Sequence, residues 1–349
     1  MDEGPPDPLR LAADILAGEE AYLVGGTVRD ELLGRPLLDI DVACAAPEQT
    51  ARQFAARSGG AAFSLSAAHG GWRVVLAGGG TTVDFTPLRG GIEDDLATRD
   101  FTVNAIARPL AGGEYVDPFA GRDDLASRTV RAVTAEVFAA DPLRLLRAVR
   151  FEDELGFAME RRTERLVREH AGLVTRAAGE RILDVLRRLS VPGWLRTAEL
   201  GLLDALGGSL ELAGRADAVD TPEYRLVVFL QDALGELPIS RELRRFAVAL
   251  LRSEPPADGS PRAIHRFRRR TEPWALEALA LHGRSDLADA VRRARATEPS
   301  EPLVRGDELG LEPGPAIGAI LEAIAEERAA GTISTREEAL ELARRHGAR

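Results

Sequence analysis

Asp39 and Asp41 stand two residues apart in a stretch, 38–44, where they alternate with apolar Leu38, Ile40 and Val42. In an extended strand residues i and i+2 project to the same face, so the two carboxylates meet on one side while Ile40 turns to the core. Like charges that close repel unless a cation joins them. Hard carboxylate oxygens suit Mg²⁺, which takes one or two carboxylates together with substrate phosphates. Asp84 adds a third acid: it lies between Val83 and Phe85, faces away from their core side, and is expected as a third ligand of a two-metal site. The competing reading of such a pattern is the solvent face of an edge strand. The segment just upstream favours the metal site.

That segment is Gly25-Gly26-Thr27-Val28-Arg29-Asp30, where an apolar run ends in two glycines and helical spacing begins. Bare backbone N–H groups and a positive helix end form an anion site, and glycine lets a triphosphate approach closely. The chain contains no Lys, which excludes a Walker A loop, and the glycine spacing does not fit a dinucleotide fingerprint. A phosphate cradle leading directly into a strand with two carboxylates suits nucleotidyl transfer. There two metals activate a 3′-hydroxyl and stabilise the leaving pyrophosphate, so no His or Cys is required.

The elements that must position these groups are α/β in the first third. Apolar runs at 21–24 and 38–44 read as strands, 72–76 and 81–85 as a hairpin around Gly78-Gly79-Gly80, and 101–107 as a further strand. From about 136 the spacing turns helical, at 143–151, 161–170, 179–189, 226–234, 243–251, 276–281, 317–324 and 336–345, with no strand expected. Breaks are expected at Val191-Pro192-Gly193, across 254–261 and across 297–302.

With 349 residues and 45% hydrophobic content, the chain has enough material for two or three packing units. Every one of its 45 basic residues is Arg, and Asn104 is its one Asn. A net charge of −11 argues against nonspecific polyanion binding, so neither DNA nor a membrane surface is an expected partner. One block is basic: residues 241–295 carry 13 Arg against 7 acids, densest at Arg262, Arg266, Arg268, Arg269 and Arg270 with His265 and Phe267 interleaved. It reads either as a contact to an RNA backbone or as a solvated helix face. A single cysteine, Cys44, excludes an intramolecular disulfide, and five scattered histidines offer no zinc spacing. No run approaches about 18 apolar residues, and the acidic start lacks the basic region of a secretory signal, so a cytoplasmic location is expected.

The ordered motifs at 25–30, Asp39-Ile40-Asp41, 95–105, 117–125, 141–151 and 179–182 resemble those of class II tRNA nucleotidyltransferases and bacterial poly(A) polymerases. The match is dense over 22–190, thin over 190–300, and returns at 303–320 and 331–343. It implies a polymerase-β-like nucleotidyltransferase head (1–135), a helical neck that recognises the base (136–190), a helical body in contact with tRNA (191–300) and a helical tail (301–349). The implied reaction is untemplated addition of C or A from CTP or ATP to a tRNA 3′ end. The alternatives are a poly(A) polymerase or a catalytically silent tRNA-binding protein.

By position, the resemblance assigns Asp39 and Asp41 to Mg²⁺, and Gly25, Gly26 and Arg29 to the triphosphate. Arg99, Asp100 and Asn104 correspond to the segment that binds ribose and phosphate, with Asp100 able to accept from a 2′-hydroxyl; a turn or cap is the plainer role for Asn104. Where the family has two arginines before that aspartate, this chain has Thr98-Arg99, and where it has glutamate before Asp141 this chain has Ala140. Asp141 and Arg144 are expected on one helix face, as an acceptor beside donors. Such a pair accepts from cytosine N4 and adenine N6 but repels the oxygens of uracil and guanine. Asp141-Pro142 is equally a good helix start. Arg147 and Arg150 of the same motif complete the nucleotide-binding set, and Arg266, Arg268, Arg269 and Arg270 are the RNA-contact candidates.

Only 14 residues separate Asp84 from Arg99, and they include Pro87, Gly90, Gly91 and the acidic run Glu93-Asp94-Asp95, enough for little more than a turn. In full CCA-adding relatives this region is a longer flexible loop that reshapes the pocket from C to A addition. The resemblance therefore implies CC addition, with a separate A-adding enzyme completing the end. An ordinary surface-loop deletion is the alternative.

Overall fold

Among the described residues, 7–66, 70–76, 80–312 and 314–347 of a computed structural model, six strands form one sheet. They are β1 (Ala21–Val24), β2 (Asp39–Cys44), β3 (Ala61–Ser66), β4 (Gly71–Val75), β5 (Thr82–Pro87) and β6 (Ala107–Pro109), in the order β3-β4-β5-β2-β1-β6. Only β2 and β5 run parallel; the other neighbours are antiparallel. Their register sets Ile40 beside Val83 and Val42 beside Phe85, and on alternate positions Asp41 beside Asp84 and Asp39 beside Thr82. Ile40, Val42, Val83 and Phe85 are all buried, and the helix Pro47–Ser58 lays Phe54 against Phe85 with ring centroids 5.5 Å apart. On the acidic side, Ala43 packs with Ile92 and Leu96 of the helix Ile92–Ala97 and with Val24, Ala105 and Ala107. Apolar burial thus forces the two acids of β2 to one side.

The chain divides into two compact units, residues 1–205 and 206–349. The first holds the sheet and then helices that include Leu143–Leu155, Arg161–His170, Gly179–Leu186 and Val191–Glu199. The second is helical, with Pro222–Leu230, Arg241–Leu251, Pro261–Thr271, Ala275–Leu281, Ala288–Thr297, Pro315–Ala329 and Arg336–Gly347. An α/β first part followed by helices is the expected class. No helix of the described residues is long and apolar enough to cross a membrane.

Several local expectations need correction. Residues 101–107 are not one continuous strand: Phe101 is extended and bridges Ala132, but the Asp100 carboxylate accepts from the N–H of Phe101 and the amide of Asn104, a 3₁₀ turn follows at Thr102–Asn104, and the strand resumes only at Ala107–Pro109. The break expected at Val191-Pro192-Gly193 falls just before it, at 187–190, and these three residues open the next helix: Ser190 caps the N–H of Gly193, and proline is tolerated in a first helical turn. Leu38 lies outside β2 and is 60% exposed. A two-residue strand, Ala158–Met159, follows residue 136 and pairs with Thr129–Val130. The acidic stretch before Arg99 is a full helix, Ile92–Ala97, rather than a turn. Gly78 and Gly79 of the expected hairpin turn lie outside the described residues.

The basic block becomes the helix Pro261–Thr271, and four of its five arginines are paired with carboxylates. Arg262 pairs with Glu327 (2.7 Å), Arg266 with Glu326 (2.5 Å) and Arg269 with Glu322 (2.9 Å), all on Pro315–Ala329, while Arg268 pairs with Glu272 and Glu298 (both 2.6 Å). Of the four RNA-contact candidates, Arg270 alone has no carboxylate partner among the described residues. The spacing that signals a basic face is here an interhelical ladder. Arg262 and the Thr332 hydroxyl lower the Glu327 carboxyl to about 2 from its ordinary 4.5. Stability from a depressed carboxyl is present above the unfolded value and lost below it. The Arg262–Glu327 pair is therefore expected to be lost as pH falls from 4.5 towards about 2 and weakened by added salt at neutral pH, with a small drop in melting temperature that a circular-dichroism series would register.

Candidate active site

Gly25 ends β1 at φ 66°, a conformation that glycine adopts without strain. A Cβ there would lie 2.7 Å from Nη1 of Arg99 and 3.4 Å from Oδ2 of Asp41, and one on Gly26 would lie 3.6 Å from Nη2 of Arg29. The glycine turn, Asp41 and two guanidinium groups therefore converge on one small space. Thr27, fully buried, ties the turn to β2: its hydroxyl accepts from the N–H of Asp41 at 2.6 Å and donates to the carbonyl of Asp39. This link was not anticipated, although Thr27 sits inside the glycine motif.

Asp39 is exposed and accepts from the Thr82 hydroxyl at 2.7 Å. Burial pushes the Asp41 carboxyl up to about 6; Arg99 opposes the rise, and Asp84 and Asp39 add to it. Asp84 does stand next to Asp41, but Arg73, opposite it on β4, forks onto both of its oxygens at 2.7 Å. Among the described residues no group of three His, Cys, Asp or Glu side chains gathers to hold a cation. The carboxylates free of a guanidinium fork are Asp39 and Asp41. Nothing in the spacing of Arg73 pointed to it; only the antiparallel register of β4 and β5 brings it there.

From Gly26 a chain of polar contacts runs inward. Arg29 forks onto Asp30 (2.9 and 2.8 Å) and donates to Oδ1 of Asn104 (2.9 Å); the Asn104 amide donates to Asp100 (3.0 Å), whose other oxygen takes Nε of Arg147 at 2.7 Å. Burial works against the Asp100 charge, but Arg147 and the hydrogen bonds hold its carboxyl below the ordinary range. Asp100 is buried, and through its two oxygens it holds Asn104 and Arg147 in place. Asn104 is a link in this chain, more than a turn residue. Arg99 is anchored by Asp95 at 2.9 Å, one helical turn earlier.

Asp141 and Arg144 are close in sequence but do not pair. Asp141 has extended backbone (φ −141°, ψ 100°) ahead of the helix Leu143–Leu155, caps the N–H of Leu143 at 3.1 Å, and is held by Arg181 at 2.8 Å. Burial disfavours its charge, yet Arg181 keeps its carboxyl below the ordinary range. Arg144 instead donates to the carbonyl of Thr98 at 2.7 Å. Arg181 was legible only as a member of the 179–182 motif, with no role attached. Arg147 and Arg150 follow on the same helix; Arg150 Nε is buried without a hydrogen-bond partner, and burial, then Arg147, lower its guanidinium to about 10.

This geometry, two unforked carboxylates beside a side-chain-free turn ringed by arginines, can hold a polyphosphate against a bound cation. The model of the Poly A polymerase head domain matches residues 21–131. A CC-adding tRNA nucleotidyltransferase of Geobacter sulfurreducens is 44% identical over a stretch covering 58% of this chain and half of that protein. An A-adding tRNA nucleotidyltransferase of Deinococcus radiodurans is 34% identical across 91% of this chain and 94% of that one. The structure of the Thermotoga maritima CCA-adding enzyme complexed with tRNA superposes with a TM-score of 0.72 at 25% identity, covering 98% of this chain and 96% of that one. On the site, the fold and these likenesses together, the chain belongs to the tRNA nucleotidyltransferase family.

Proposed function

We propose that this chain adds C residues from CTP to the 3′ end of tRNA, stopping at CC. The observation that carries the transfer reaction is the convergence of Gly25, Gly26, Arg29 and Arg99 on Asp41. In that reaction the tRNA 3′-oxygen forms a bond to the α-phosphorus of the nucleotide, the α–β bridging bond breaks, and pyrophosphate leaves. Asp39 and Asp41 fit Mg²⁺: they are hard oxygen donors, and the upward shift of Asp41 marks a place where added positive charge is favourable. When bound there, Mg²⁺ supplies activation of the 3′-hydroxyl and neutralisation of the leaving group. Thr27 holds the two carboxylates in register with the glycine turn, and Arg29 and Arg99 face the phosphates.

The limit to CC is supported by how tightly the segment between Asp84 and Arg99 is held. Ile92 and Leu96 are buried in the core, Arg99 grips Asp95, and Arg144 grips the carbonyl of Thr98. A segment anchored at its apolar face and at its end has little freedom to reshape a pocket between two bases. Incubating tRNA that lacks its 3′ end with CTP and ATP is expected to yield ends in CC; efficient accumulation of CCA ends would remove the limit and leave the transfer reaction standing.

Base choice is assigned to Asp141, oriented by Arg181. Asp141→Ala is expected to lose about 0.5–2 kcal/mol of capping stability and to admit UTP, because the repulsion of the uracil oxygen goes with the carboxylate. Competing CTP and UTP incorporation, measured beside the melting temperature, separates the two effects: a shift in melting alone would leave Asp141 as a cap only.

A further inference from the structure

Phe151 closes the 141–151 motif and has no role in the reading above. Its side chain is 2% exposed and meets Phe101 edge to face, with centroids 5.5 Å apart at 81°. Around this one ring stand three guanidinium groups, with the central carbons of Arg29, Arg147 and Arg150 at 5.3, 5.3 and 4.9 Å from its centroid. Arg29 and Arg147 each spend their charge on a carboxylate, Asp30 and Asp100. Arg150 reaches Glu154 only at 3.7 Å, and its buried Nε has no hydrogen-bond partner. Three cations gathered so closely repel, and a buried donor without an acceptor is costly. An aromatic ring carries negative potential on its face and positive potential at its edge, so it can hold cations without neutralising them.

We propose that Phe151 is a positioning residue of the nucleotide site, whose ring holds Arg29, Arg147 and Arg150 ready for the phosphate chain of a nucleoside triphosphate, with Arg150 the member left short of an anion. A carboxylate in place of the ring would cancel the charge that Arg150 alone keeps for the phosphates. An aliphatic side chain would leave Arg150, the one of the three without a close carboxylate, free to swing away. The proposal rests on the nucleotidyltransferase reading and adds to it the means by which the arginines are preorganised.

The test is to replace the Phe151 ring, in the full chain, with its difluoro and then pentafluoro analogues, which keep its apolar shape and drain its face. The affinity for CTP is expected to fall stepwise, by about three- to tenfold over the series, with the melting temperature unchanged and the affinity for CMP nearly so. Phe151→Leu is expected to raise the KM for CTP with kcat largely kept, the pattern of lost binding rather than lost chemistry. CTP affinity that stays flat across the fluorinated series, or CMP affinity that falls as much as CTP affinity, would overturn the proposal while an active enzyme leaves the parent reading intact. Failure of the unmodified protein to bind CTP would overturn both.

Discussion

Asp41→Asn is expected to reduce nucleotide incorporation by about a thousandfold or more while leaving the protein at least as stable as before. A thousandfold loss corresponds to about 4 kcal/mol of barrier, in keeping with removal of a charge from the reacting centre. Asparagine keeps the size and shape of the side chain, and the bond from the backbone N–H to Thr27 is untouched. What is lost is an anion that burial disfavours and that Asp84 and Asp39 repel. Removing it relieves the folded state, so melting is expected to stay level or rise, the usual trade of stability against function at a charged site. Labelled CTP incorporation into tRNA, read beside a thermal melt, checks both halves. Full activity in the variant would displace Asp41 from the site, and loss of activity together with unfolding would assign it a structural part instead.

Gly121→Ala is expected to be the most damaging single methyl in the first unit. Gly121 opens the helix Gly121–Ala126, with its N–H and that of Arg122 held by the two oxygens of Asp117 at 2.7 and 2.9 Å. A Cβ there would sit 2.1 Å from the carbonyl oxygen of Thr102 and 2.8 Å from Ile106. The obstruction is backbone, so no rotamer change relieves it; at Gly25 the nearest atom is the end of the Arg99 side chain, so the crowding there falls on the site and the fold bears the strain of a positive φ. Overpacking costs about 1–3 kcal/mol and occasionally more. With the backbone of the Thr102–Asn104 turn in the way, about 3 kcal/mol or above is expected. The same displacement moves Asn104 and thereby Arg29, so activity should fall even at temperatures where the variant stays folded. A denaturant midpoint equal to that of the parent would refute this account of the 117–125 motif.

The local pattern was legible from the order of residues alone. Ile40 and Val42 must be buried, and in a period-2 strand that settles the common face of Asp39 and Asp41 without knowledge of any neighbour. The glycine turn was legible for the same reason, since Gly25 needs a positive φ and its bare backbone marks a close approach. Many of the helices from 143 onward followed from apolar spacing, but Val191–Glu199 and Ala288–Thr297 did not. Which charges meet depended on packing. Arg73 reaches Asp84 through strand register, Arg181 reaches Asp141 across 40 residues, and Arg144 turns from Asp141 to the carbonyl of Thr98. The arginines of Pro261–Thr271 look like a free basic face until Pro315–Ala329 brings Glu322, Glu326 and Glu327 against them. Periodicity records which side of an element faces the core, because burial acts on each residue of a strand or helix alone. An ion pair depends on two elements arriving at the same place, and that is set by packing, which linear spacing does not encode.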